Sequence, residues 1–484
     1  MRRNTIVGIS AVCLLSVALA AQDKQAADKI PITTSSAEAR QLYVKGRDLA
    51  EKLRATDARR FYEQAVEKDK NFALAYVGLA NTSGTTKEFI DAVTRAAALA
   101  GGVSEGERHI IGGLESGLKA DPAGTLKHYT ELVRLFPNDE RALTLLANTH
   151  FGRQEYETAI KHYEKATGIS PSFSPPYNQL GYAYRFIERF DEAEKAFKKY
   201  TQLIPGDPNP YDSYAELLLK IGRFDESIKM YEKALAIDPN FIASHIGIGN
   251  NYLAMGQPDK ARTAFAKIAT VARTTGEKRT ARFWAAASYV HEGATDKAIE
   301  ELQAGYALAE ANGDAGSMSG DLTQMGDILR EAGRPADALA KYEGAVTVVN
   351  KSKLPEEVKE ATRRTHVFEE GRVAASRGDI AAARAKLAEY TRQVAPKNRP
   401  FEVLQQHELT GMIALAEKEY APAVQELKLA NQQDPRILYL TALALQGAGD
   451  ASGAATFAAK AAKFNGLNIN YGYVRTKARK LAGT

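Results

Sequence analysis

Residues able to do chemistry are sparse in this chain and stand apart from one another. The eight histidines never form an HxH or HExxH pair, so the spacing that lets one element present two imidazoles to zinc is missing. His150 falls in the slot that Tyr184 and Tyr252 fill elsewhere, and is expected to pack rather than ligate. Ser116 to Lys119 spells SxxK, without the companion motifs that would make the serine a nucleophile. Arg377-Gly378-Asp379 spells an adhesion-type tripeptide, but it stands where other units carry Ile221-Gly222-Arg223 or Ala332-Gly333-Arg334, the expected turn between two helices. The segment NGDAGSMSGD, residues 312 to 321, has oxygens enough for an ion and reads better as a flexible joint. A P-loop, a GxSxG elbow, Rossmann glycines and a calcium loop are all missing. No catalytic residue, metal site or cofactor is expected, and the chain does not read as an enzyme.

The elements behind these residues declare themselves by a period. Pro137, Pro171, Pro205 and Pro239 are each 34 residues apart. Five residues before the last three stand Ala166, Tyr200 and Ala234. Eight before stand Tyr163, Phe197 and Tyr231, and twelve before stand Ala159, Ala193 and Ser227. Earlier in each unit come Leu146-Ala147, Leu180-Gly181 and Tyr214-Ala215. Internal repetition of this length marks a stacked-repeat architecture.

Each unit splits into two helices. Tyr177, Leu180, Gly181 and Tyr184 fall at i, i+3, i+4 and i+7, one apolar stripe. Phe190, Ala193, Ala196, Phe197 and Tyr200 form the second. Asp191 and Asp225 stand beside the start of the second helix, where a carboxylate suits the unpaired N–H groups and the dipole. Proline closes the unit because it cannot continue a helix. Gly181 facing Ala193, and Ala215 facing Ser227, would let the two helices approach closely.

The unit resembles the tetratricopeptide repeat. Tyr177, Leu180, Gly181, Tyr184, Ala193, Phe197 and Pro205 match that family's 34-residue pattern, and Tyr200 departs where alanine is usual. Tyr211, Ala215, Gly222, Phe224, Ser227, Tyr231, Ala234 and Pro239 match it again. The pattern runs over nearly the whole chain with fading quality, to about twelve units, and beyond residue 270 the spacing loosens to roughly 40. The longer joints near 270–280, 310–320, 348–362 and 395–402 are expected elbows. The resemblance implies an all-α superhelix, a solenoid of helix-turn-helix repeats, with a capping helix over 465–484 to hide its last apolar face. An N-terminal repeat block would cover 38–275 and a more divergent block 276–464.

In that family, ligand contacts come from first-helix positions rotated off the core stripe. Here those positions hold Thr144, Asn148, Asn178, Tyr182, Arg185, Asp212, Glu216, Lys220 and Asn250. Side-chain amides such as Asn148, Asn178 and Asn250 can both donate to and accept from a peptide backbone. The basic pairs of chaperone-binding repeats are not evident, and Leu145, Gln179, Ser213 and Gly247 interrupt the asparagine ladder of the sugar-transferase repeats.

Residues 1–20 read as an export signal: Arg2 and Arg3, an apolar run from Ile6 to Leu19, and Ala18-Leu19-Ala20 for cleavage. Residues 21–37 would be a linker. The one cysteine, Cys13, lies inside the signal, so disulfides, thiolate metal sites and a cysteine nucleophile are excluded from the mature chain. Charges are interspersed, with a small positive excess, and no basic block suggests nucleic acid. The run Arg475 to Lys480 reads as the wet face of a last helix. No second long apolar segment follows, so no membrane span is expected after cleavage. The expectation is a periplasmic or secreted scaffold that binds a protein or peptide in its groove. The rivals are an assembly factor for envelope polysaccharide or protein export, and a small-ligand binder or enzyme with a site inside the solenoid.

Overall fold

Apolar stripes of helical period, interrupted by short polar turns, yield 25 α-helices, one 3-10 turn (Ala100–Gly102) and no strand among the described residues. The computed structural model describes residues 28–396 and 399–483; the expected signal segment lies outside them. Two compact units divide the chain, the first ending at Ile187 and the second beginning at Glu188. The expected boundary at 275 falls inside the second unit.

The first unit holds α1 (Ala37–Glu51), α2 (Ala55–Lys68), α3 (Ala73–Asn81) and α4 (Thr86–Ala98). It continues with α5 (Glu105–Leu118), α6 (Pro122–Leu135), α7 (Glu140–Gly152), α8 (Tyr156–Ile169) and α9 (Pro175–Phe186). The second unit begins with α10 (Phe190–Leu203), α11 (Asn209–Lys220), α12 (Phe224–Ile237), α13 (Ile242–Ala254) and α14 (Pro258–Val271). Next come α15 (Thr275–Glu292), α16 (Thr295–Ala311), α17 (Ala315–Glu331), α18 (Pro335–Lys351), α19 (Glu356–Ser376) and α20 (Ile380–Val394). The last are α21 (Pro400–Ala416), α22 (Tyr420–Leu429), α23 (Pro435–Gly447), α24 (Ala451–Ala462) and α25 (Asn470–Ala482). In chain order these are twelve helix-turn-helix pairs and a final helix.

The turns follow local chemistry. Gly222, Gly333 and Gly378 adopt φ of 81°, 74° and 73° between paired helices, a region glycine enters without strain. The tripeptide at 377–379 is therefore a turn, as expected, and Asp379 caps α20 through Ala382 N. Residues 312 to 321 are not a loop. Asp314 accepts from Ser317 N at the start of α17, and Arg279 grips Ser317 and Asp321, so most of that small-residue run is helical.

The loosened period beyond residue 270 comes from longer helices rather than longer joints. Helices α15 to α19 span 17 to 21 residues, against 12 to 14 for α11 to α14. Between α14 and α15 the chain turns within three residues, where Thr274 and Glu277 form a capping box.

Inside a pair, the small site of the first helix receives a ring from the second. A Cβ on Gly249 would stand 2.1 Å from Phe265 Cε1, and one on Gly326 would stand 2.3 Å from Tyr342 Cε1. Ala215 meets Ser227 as expected: its carbonyl accepts from the serine hydroxyl at 2.7 Å. Tyr163, Tyr231, Phe265 and Tyr342 are fully buried, so these contacts carry much of each unit's apolar burial.

Residues 28–36, within the span expected as a linker, lie docked on the first unit. Ile30 N donates to Asp139 at 3.0 Å, Thr33 N to Glu107 at 2.7 Å and Ser35 N to Asp69 at 3.0 Å. Lys29 pairs with Glu140, and Ile30 and Ile32 pack against the helices. The segment is a strap across several repeats.

Candidate functional site

One position in every first helix follows the small site: Asn148 after Ala147, Tyr182 after Gly181, Glu216 after Ala215 and Asn250 after Gly249. The small residue lets a ring in beneath, so its neighbour is turned off the core stripe. Continued along the chain, this register reaches Asp327, Arg372 and Met412, each after a glycine.

In the first unit, Thr144 is buried and its hydroxyl donates back to Glu140 O at 2.6 Å, which occupies it within its own helix. Asn148 is exposed, and its Oδ1 accepts from the buried Tyr163 hydroxyl at 2.6 Å. That bond fixes the amide and leaves its NH₂ group as the donor available to a partner. Asn178 is buried, with Oδ1 lacking a hydrogen-bond partner. Tyr182 and Arg185 are half-exposed, with the guanidinium 4.9 Å from the tyrosine ring and 5.1 Å from that of Phe186. Asn148, Tyr182 and Arg185 thus offer hydrogen-bond donors and an aromatic face; Thr144 and Asn178 do not reach the surface.

In the second unit the same register is mostly spoken for. Asp212 is buried, accepts from the Ser244 hydroxyl at 2.7 Å, and has its pKa pushed up to about 8 by burial and then by Glu216. Asn250 is buried and donates to Ile246 O at 2.9 Å. Glu216 is half-buried. The Lys220 ammonium lies 4.1 Å from the ring centroid of Phe464, so a residue 244 positions later in the chain covers it.

Phe464 begins a segment that returns over the first helices of this unit. Ile469 joins the core that holds Trp284, Met325 and Ile328. Tyr471 packs edge-on against His291, and a Cβ on Gly472 would stand 2.9 Å from the His291 ring. Gln324 donates to the Tyr473 hydroxyl at 3.3 Å. Arg475, only 8% exposed, gives both terminal nitrogens to Leu253 O and Ala254 O. Those carbonyls end α13, where a helix lacks donors and its dipole favours a cation. The basic run is therefore split: Lys477, Arg479 and Lys480 are exposed, while Arg475 serves a helix end far back in the chain. Burial and then Arg475 pull the His291 imidazole down to about 4. α25 also covers α23 and α24, through Leu438, Ala461, Tyr471 and Ala478, as a capping helix should.

Sequence reasoning stopped the register at Asn250 and missed what lies beyond it. Asp327 accepts from the Tyr342 hydroxyl at 3.0 Å, as Asn148 does from Tyr163. Arg372, 3% exposed, bonds Glu369 at 2.9 and 3.0 Å. Arg330, Glu408, Arg436 and Asp434 complete a buried ionic cluster. The signal that finds it is the glycine-plus-one rule itself.

The histidines pair rather than gather. Nδ1 of His109 is 3.1 Å from Nδ1 of His128, and His150 bonds Glu155 at 2.6 Å and stacks on His162. No group of three or more His, Cys, Asp or Glu side chains able to hold a metal ion occurs among the described residues. No helix among them is long and apolar enough to cross a membrane.

Comparison with known proteins places models of the tetratricopeptide repeat on residues 121–172, 174–207 and 218–286. No curated protein sequence matches the chain. Among solved structures, the MamA protein is 24% identical and covers 34% of this chain and 91% of its own, with a TM-score of 0.30. A tetratricopeptide repeat protein from Parabacteroides merdae is 16% identical, with 56% and 94% coverage and a TM-score of 0.36. YrrB, described as a TPR protein with an unusual peptide-binding site, is 20% identical, with 37% and 91% coverage and a TM-score of 0.27.

Proposed function

Because this chain belongs to the tetratricopeptide-repeat family, we propose that it is an exported scaffold that binds a protein partner on the first-helix face of its first unit. One observation carries the reading. The second unit already uses its first-helix face to hold a polypeptide segment, the chain's own residues from Phe464 to Ala482. The equivalent register in the first unit presents Asn148, Tyr182 and Arg185 instead, exposed or half-exposed. A fixed amide, an aromatic ring and a guanidinium are groups that recognise an extended backbone and anchor an interface. Export rests on the signal-like residues 1–20 and on a body with no cysteine, which together suit a bacterial envelope protein.

Photo-crosslinking residues placed singly at Tyr182, at Lys220 and at Lys161 on α8 test this in native envelope. Adducts confined to position 182, and abolished by adding Asn148→Ala, are expected. Equal yields at 182 and 161 would contradict the proposal.

A further inference from the structure

The chain contains two Asn-Gly pairs, Asn312-Gly313 and Asn465-Gly466. Such a pair is chemically labile in open backbone, because glycine has no side chain to keep its nitrogen away from the asparagine amide. The two pairs are held very differently. Gly313 N donates to Glu310 O at 2.9 Å and Asn312 N to Ala309 O at 3.1 Å, inside the turn that ends α16. Asn465-Gly466 lies in the irregular stretch between α24 and α25. There Asn465 N donates to Lys463 O at 2.7 Å, and Gly466 O accepts from Asn468 N at 3.0 Å. Gly466 N donates to no acceptor among the described residues, and the Asn465 side-chain amide makes no hydrogen bond among them. That amide only touches the turn at Gly222, where a Cβ would stand 3.7 Å from its Nδ2. Asn465 and Gly466 are both half-buried, so water reaches them.

We infer that Asn465 is a site of spontaneous deamidation, and that its isoaspartyl product unseats α25. Hydroxide takes the Gly466 N–H proton, and the nitrogen forms a bond to Asn465 Cγ. The Cγ–Nδ2 bond breaks, and ammonia leaves with a proton taken from water. Water then opens the resulting succinimide at either carbonyl, so that in sum a water is consumed and an ammonia released. Opening at the side-chain carbonyl gives aspartate. Opening at the main-chain carbonyl gives isoaspartate, whose main chain runs through Cβ and is a carbon longer. The site stands between two buried anchors, Phe464 and Ile469. Phe464 lies under the Lys220 ammonium, and Ile469 sits in the core of Trp284 and leads into α25. Close packing at both anchors leaves no slack for a longer main chain carrying a new charge. Ile469 and the helix behind it are what must move.

Incubation of the full chain at mildly alkaline pH, followed by peptide mass mapping, tests the assignment. In the folded chain Asn465 should convert about tenfold faster than Asn312, whose glycine nitrogen must first break its hydrogen bond. In concentrated urea the two should convert at the same rate. Gly466→Ala should slow conversion at Asn465 several-fold without disturbing the fold, since a Cβ there meets only Phe464, at 3.9 Å. The isoaspartyl chain, separated by its added charge, should show Trp284 emission at longer wavelength than the fresh chain. An Asn465→Asp chain, with the charge but not the longer main chain, should shift less. Equal conversion at Asn465 and Asn312 in the folded chain, no product at Asn465, or unaltered emission from the isoaspartyl chain would each overturn the proposal.

Discussion

In the first unit residues 28–36 lie extended, and three of their main-chain N–H groups go to Asp139, Glu107 and Asp69. In the second unit the returning segment is helical and sinks Ile469, Tyr471, Val474 and Ala478 into apolar surroundings, with one buried arginine aimed at a helix end. Both segments close over repeats, but the strap binds chiefly by polar bonds, two of them to the buried Glu107 and Asp139, and α25 chiefly by apolar burial. Polar bonds exchanged with water give little net stability, whereas buried apolar area gives much. The difference teaches that α25 belongs to the fold of its unit, while the strap is its first unit's most detachable part.

The largest expected effect follows from removing residues 465–484. Four buried side chains at roughly 1.5 to 3 kcal/mol for the larger ones suggest a loss on the order of 5 kcal/mol, read from the urea midpoint. Deleting 28–35 should cost about 2 kcal/mol or less. Equal losses would erase the distinction between the two segments.

Acid should separate them next. His291 is neutral and half-buried, with its pKa lowered to about 4 by desolvation and Arg475, below the ordinary value of 6.5. The stability it contributes is complete above pH 6.5 and is lost as pH falls towards 4, about 3 kcal/mol over that interval. α25 should therefore loosen between pH 6.5 and 4. A His291→Phe chain that loosens over the same interval would refute that assignment.

Gly472→Leu should overpack the contact with His291 and Val290 and cost roughly 1 to 3 kcal/mol. An unchanged denaturation midpoint would show that α25 does not seat there.

The smallest effect belongs to the strap. Thr34 donates to Asp69 at 2.6 Å and, ahead of the strap's other bonds, holds that carboxyl below its ordinary value of 3.8 against the opposing effect of burial. The contribution is present above that value and fades as pH falls below it, so the strap should stay docked at pH values that loosen α25. Thr34→Val should move acid release of the strap, followed by limited proteolysis, to higher pH.

The repeat pattern made the helices legible because packing inside a pair is local. Ser227, Tyr231 and Ala234 recur at fixed offsets and are fully buried. The polar register was less legible. Asn148 and Tyr182 reach the surface, whereas Asp212 and Asn250 are absorbed by neighbours one repeat or one turn away. The reach of Arg475 to Leu253 spans 222 residues, and no local spacing encodes such a contact. Residues 28–36 look like a linker because carboxylates far along the chain, rather than their own periodicity, hold them.

The chain carries a single tryptophan, Trp284, packed in the core that Ile469 completes. Its emission tests the central claim, that the C-terminal segment occupies the first-helix face of the second unit. Deleting residues 465–484 should shift Trp284 emission to longer wavelength, and deleting 28–35 should leave it unchanged. Unaltered emission after loss of the C-terminal segment, in a chain whose helicity otherwise persists, would contradict the account.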